Sequence, residues 1–193
     1  MLKERADALM VEYEASHSDT IIESAISIYE ELLGLRPPGH DQRAEAVHDL
    51  GDALFLFCSY NRRHEPRRDH CFELLREALQ LHPSGHPLRH QSLYHLARSL
   101  FFIDYLQGAD SLDALAESIT LNRAALELRP SGHPDRHKSL NNLASALTRS
   151  FQHFGDFDTL TEAIELLREN LRLCSGDHPR RDNALNNLSL IHI

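Results

Sequence analysis

Apolar residues recur along this chain in steps of three and four. Val47, Leu50 and Leu54 are followed by Leu93, Leu96 and Leu100, and then by Leu140, Leu143 and Leu147. That spacing puts each trio on one helical face and predicts an amphipathic helix after Arg43, Arg89 and Arg136. A second stripe follows, marked by Ile26, Phe72, Ile119 and Ile164 and later by Leu33, Leu79, Leu126 and Leu171. Beside its first members stand the small residues Ala25, Cys71, Ser118 and Ala163. Just after the middle leucine of the first helices come Gly51, Ala97 and Ala144. Small side chains let neighbouring helices approach closely, so the pattern predicts antiparallel helix pairs.

The connections between pairs repeat as words. Leu35–Arg43 reads LRPPGHDQR, Leu81–Arg89 LHPSGHPLR, Leu128–Arg136 LRPSGHPDR and Leu173–Arg181 LCSGDHPRR, with leading leucines 46, 47 and 45 residues apart. Proline stops the preceding helix, and glycine takes the positive φ that other residues resist. A second proline follows His86, His133 and His178, where it suits the first turn of the next helix. Asp177 replaces glycine in the fourth turn, which is expected to be the least regular. Thr159–Glu162 (TLTE) has capping-box spacing. Leu2–Leu35 also aligns without a gap on Leu140–Leu173, so the match extends beyond the turns.

One helical pair cannot bury its apolar face alone, so pairs must stack. The expected fold is all-α: a right-handed α-solenoid of antiparallel helix pairs whose inner surface is lined by the first helix of each. The repeats run 1–43, 44–89, 90–136 and 137–181, with a partial repeat at 182–193. The chain starts and stops inside repeats and shows no polar capping helix, which leads us to expect a piece of a longer array. Leu185, Leu188 and Ile191 would then be exposed at an open end and drive self-association.

These features resemble the tetratricopeptide repeat. Leu140, Leu143, Ala144 and Leu147 match that family's first-helix pattern, and Ala163, Leu167 and the proline position (Pro130) its second. The period exceeds the family's usual 34 residues. The excess near Phe151–Asp158 is read as a longer first helix and a longer inner loop. The wording LNNLASAL, GDFDTLTEAIELLRENL and GHPDR is most similar to fungal arrays, some of which accompany a caspase-like CHAT domain or a nucleotide-binding switch domain. Elongated repeats also occur in kinesin light chains.

The resemblance implies a protein-binding scaffold, not an enzyme, that holds a peptide or partner helix against its first helices. Carried over, the groove positions are Glu45, His48, Asp52 and Phe55; Gln91, Tyr94, Arg98 and Phe101; Lys138, Asn141, Ser145 and Thr148; and Asn183 and Asn186. Amides can bond a peptide backbone and aromatics can anchor apolar side chains. The same residues also suit a solvated helix face. Glu45 and Asp52 stand where a carboxylate clamp would need cations, which argues against capture of a C-terminal carboxylate. The other functional class is a regulatory or oligomerisation arm of a larger signalling protein whose effector lies elsewhere.

Composition narrows the partners. Formal charge is −9 over 193 residues, against non-specific nucleic-acid binding or adhesion to anionic lipid. There is no signal-peptide core and no apolar run of membrane-spanning length, and three scattered cysteines suggest reduced thiols in a cytoplasmic protein. No cofactor is expected. His82, His86 and His90 are spaced as zinc ligands would be on one helix, but Pro83–Gly85 interrupts them. His40, His86, His133 and His178 are read as turn residues that cap or brace the repeats. Cys58, Cys71 and Cys174 lack a catalytic histidine spacing, and Cys71 is expected to be buried. Arg62, Arg63, Arg67 and Arg68 form a basic loop suited to solvent or to an acidic partner.

Overall fold

The computed structural model describes residues 1–60, 65–107 and 112–174, together with 185, 187 and 189. These residues form α1 (Leu2–Ser16), α2 (Asp19–Gly34), α3 (Arg43–Tyr60), α4 (Glu65–Leu81), α5 (Arg89–Gln107), α6 (Leu112–Glu127), α7 (Arg136–Phe154) and α8 (Phe157–Leu173). No strand occurs among them. The helices pack in consecutive pairs and fall into two compact units, Met1–His95 and Leu96–Ile193.

In the first unit α1 packs on α2, α2 on α3 and α3 on α4. Ala6, Tyr13, Ile22, Val47, Leu50, Leu54 and Leu75 are all buried there, and Val47, Leu50 and Leu54 are the trio predicted for the helix after Arg43. Full burial of one such aliphatic side chain contributes roughly 1.5–3 kcal/mol. Small residues set the helix spacing as expected. A Cβ built on Gly51 would lie 2.9 Å from Leu75 Cδ2, and the Cys71 thiol donates to the Gly51 carbonyl at 3.2 Å.

The second unit repeats that arrangement with other atoms. Leu143, Ala144, Leu147, Ala163 and Leu167 form a buried cluster against Ile119, Leu126 and Leu166. Ser118 stands where Cys71 stood, and its hydroxyl donates to the Ala97 carbonyl at 2.7 Å. A small donor in the second helix thus bonds the backbone of the small residue in the first.

The turns are built alike. In three of them the histidine N–H bonds the carbonyl of a proline three residues back, and its own carbonyl accepts from the arginine three residues on. The imidazole closes the turn, because Nδ1 of His40, His86 and His133 accepts the N–H of Gln42, Leu88 and Asp135, each at 3.1 Å. Gly39, Gly85 and Gly132 take φ of 91, 88 and 90°, the left-handed region that favours glycine. The closing arginine ties the turn to the helices: Arg43 NH1 donates to Arg36 O at 2.8 Å, Arg89 NH1 to His82 O at 2.6 Å and Arg136 NH1 to Arg129 O at 2.7 Å. Arg43 Nε also reaches Glu77 at 2.6 Å and Arg136 Nε reaches Glu169 at 2.7 Å. His178 and Asp177, in the fourth turn, lie outside the described residues.

Three local expectations are corrected. Pro87 and Pro134 sit in the turn, two residues before their helices begin, because the histidine bridges the turn across them. Helix α8 starts at Phe157, ahead of the TLTE box. Its N-cap is Asp156, whose carboxylate accepts the Asp158 N–H at 3.1 Å and the Thr159 hydroxyl at 2.6 Å. The added repeat length lies in the helix and not in the loop: α7 has 19 residues, and only Gly155 and Asp156 separate it from α8.

Candidate functional site

The first helices of the first unit carry Glu45, His48, Asp52 and Phe55 on α3 and Gln91 and Tyr94 on α5. Most of these side chains are engaged with a neighbouring helix. Asp52 Oδ1 lies 2.8 Å from His95 Nδ1, and the His95 ring stands edge-on to His48 with centroids 4.5 Å apart. His48 Nδ1 is 3.4 Å from Asp49 Oδ1, and its Nε2 is buried without a partner among the described residues. Glu45 faces Lys3 at 3.6 Å and Arg36 at 3.8 Å. Phe55 and Tyr94 are 9% and 8% exposed, so they sit in the packing and do not project as free anchors. Gln91 is half-buried.

A charged network centred on Lys3 joins this face and was not legible from spacing. Lys3 Nζ contacts Asp49 at 2.5 Å and Asp7 at 3.3 Å, and the Tyr29 hydroxyl donates to Asp7 at 2.8 Å. Burial opposes ionisation of Asp49, but the hydrogen bonds from His48 and Lys3 outweigh it and hold the carboxyl below the usual range. Burial likewise opposes the Lys3 charge, and the carboxylates of Asp49, Asp7 and Glu45 overcome it and raise the ammonium above its ordinary value. Burial and the hydrogen bond to Asp7 push the Tyr29 phenol upward.

In the second unit Arg98 and Phe101 on α5 are half-buried. On α7, Lys138 pairs with Asp135 at 2.6 Å. The Ser145 hydroxyl donates to the Asn141 carbonyl at 2.9 Å, and that of Thr148 to Ala144 O at 2.8 Å. The Asn187 amide then donates to both Asn141 Oδ1 and Ser145 Oγ, at 3.0 and 3.2 Å. Asn183 and Asn186 lie outside the described residues. Among the described residues Asn141 and Ser145 are bonded to each other and both contact Asn187, while His48 and Asp52 both contact His95 of α5. Positions 187 and 95 supply these contacts, which a pattern of burial does not single out.

The remaining chemistry is sparse. His82 and His86 stack at 4.2 Å across their turn, and no group of three His, Cys, Asp or Glu able to hold a metal occurs among the described residues. Cys58, Cys71 and Cys174 are buried and form no disulfide. Arg67 pairs with Glu23 at 3.6 Å and lies over the Phe57 ring at 4.6 Å, while Arg62 and Arg63 lie outside the described residues. Leu185 is exposed, as are Leu35, Leu81, Leu128 and Leu173 at the turns; Leu188 and Ile191 are outside the described residues. No described helix is long and apolar enough to cross a membrane.

No protein-family model matches the sequence, and no curated protein matches it. Solved structures do match its fold. The chain is similar to crystallised nearly identical TPR-like repeats of Podospora anserina, at 19% identity and a TM-score of 0.67, covering 99% of this chain and 85% of that one. A point-substituted form of the same repeats gives 19% identity and a TM-score of 0.68, with 99% and 84% covered. The fold is therefore a TPR-like helical repeat array.

Proposed function

We propose that this TPR-like array is a non-enzymatic scaffold that binds a protein or peptide on the faces of its first helices. Folds of this type generally mediate protein–protein interaction. The observation that carries the reading is a division of labour among repeated positions. The turn histidine, the closing arginine and the small residues at the helix crossing keep their kind from repeat to repeat. The first-helix face does not: Glu45, Gln91 and Lys138 share one register position, and Phe55, Phe101 and Thr148 another. A framework held constant around a varied face suits recognition of a partner that differs along its length. The side chains left to contact that partner are the partly exposed Glu45 and Gln91 in the first unit, and Phe101, Lys138 and Thr148 in the second.

Affinity capture from the source cell tests this. Gln91→Ala with Lys138→Glu is expected to lose the partner while keeping wild-type helicity. Retention of the same partner by that variant would move binding off this face.

A further inference from the structure

We propose that the turn from His82 to Arg89 is an acid-operated joint: protonation of the buried His82 imidazole, stacked on His86, opens this turn while the equivalent turns at Arg36 and Arg129 stay closed. The geometry begins with a substitution inside the repeat. The residue after the leading leucine is arginine in the first and third turns, and there it bonds the turn from within. Arg36 NH1 donates to Gln42 O at 3.4 Å and lies 3.8 Å from Glu45, while Arg129 NH1 donates to Ser139 Oγ at 2.9 Å and Asp135 O at 3.4 Å. The second turn has His82 instead. It is 3% exposed, and its Nδ1 meets Ser92 Oγ at 2.7 Å, the counterpart of Ser139.

Every ionisable group seen facing His82 disfavours a positive ring. His86 of the turn itself stacks on it at 4.2 Å. From α5, the Arg89 guanidinium sits on its carbonyl at 2.6 Å. From α3, His48 adds to the field, and His48 in turn packs against His95 of α5. The carboxylates nearby, Asp49 and Asp52, are engaged by His48 with Lys3 and by His95, and neither imidazole of the stack has a carboxylate partner among the described residues. Burial first, and then the neighbouring imidazoles, push His82 down to about 4. Because that lies below the value near 6.5 of an unfolded histidine, the open turn binds the proton more tightly. Closure is complete at neutral pH and weakens as pH falls from about 6.5 toward 4.

Amide hydrogen exchange on the whole chain, read by mass spectrometry at pH 7.5 and 5.0, tests this with two internal controls. Protection in the segment from His82 to Ser92 is expected to fall on the order of tenfold more than in the segments from Arg36 to Ala46 and from Arg129 to Ser139. The variant His82→Arg, which installs the residue of the other turns, is expected to remove the difference. Parallel loss in all three turns of the wild type would overturn the proposal, as would a variant that folds and still opens at pH 5.0. If His82→Arg fails to fold, the wild-type comparison among the three turns decides alone.

Discussion

His95 meets Asp52 at 2.8 Å, although the two stand 43 positions apart. The contact joins successive first helices, α3 and α5, on the face to which partner binding is assigned. Part of that face is therefore occupied in holding the repeats together. A double-mutant cycle between Asp52→Ala and His95→Ala, read by urea denaturation, is expected to give a coupling of about 0.5–1.5 kcal/mol. Additive single effects would mean that the contact contributes nothing to the fold.

Lys3 and Asp49 make the comparable contact between α1 and α3. Asp49 is held below its ordinary value, so its contribution is present above about pH 4 and lost as pH falls through the folded value. Lys3 is raised, so its contribution is present below about pH 10 and lost as pH rises further. Lys3→Met is expected to cost about 1 kcal/mol at neutral pH, with the deficit shrinking below pH 4. The Asp49 carboxyl should titrate at higher pH in the variant, by carboxyl carbon NMR. An unchanged Asp49 titration would show that His48 alone holds it.

His17 ends α1 with φ of 51°, a left-handed conformation, and its N–H caps Tyr13 O at 2.8 Å. Gly155 ends α7 at the corresponding place with φ of 70°. Replacing His17 with glycine relieves the strain, and a stability gain of about 0.5–1 kcal/mol by urea denaturation is expected. A loss instead would mean that the edge-on contact of His17 with Tyr13, 5.8 Å between ring centroids, outweighs the backbone strain.

The repeats, the helices and the small-residue crossings were legible in the sequence because they rest on short periods: steps of three and four for Leu140, Leu143 and Leu147, and words such as GHP at the turns. The role of His86 and its counterparts as turn caps was legible too, since each bonds within three residues of itself. The true start of α8 was not, because it rests on the Asp156 carboxylate taking the Asp158 N–H and the Thr159 hydroxyl, which spacing alone does not single out. The candidate face was legible as a register and not as a surface. Whether Tyr94 projects or packs depends on where the next helix lies, and the bonds of Asn187 to Asn141 and Ser145 span more than forty positions.

Partner binding on the first helices can be read by position. A photo-crosslinking residue placed at Lys138, on the face of α7, and separately at Glu165, an exposed position on α8, tests it most directly in lysate of the source cell. A specific adduct is expected from position 138, competed by unmodified protein, and none from position 165. A competed adduct from position 165 alone would place the partner on the second helices and contradict that assignment.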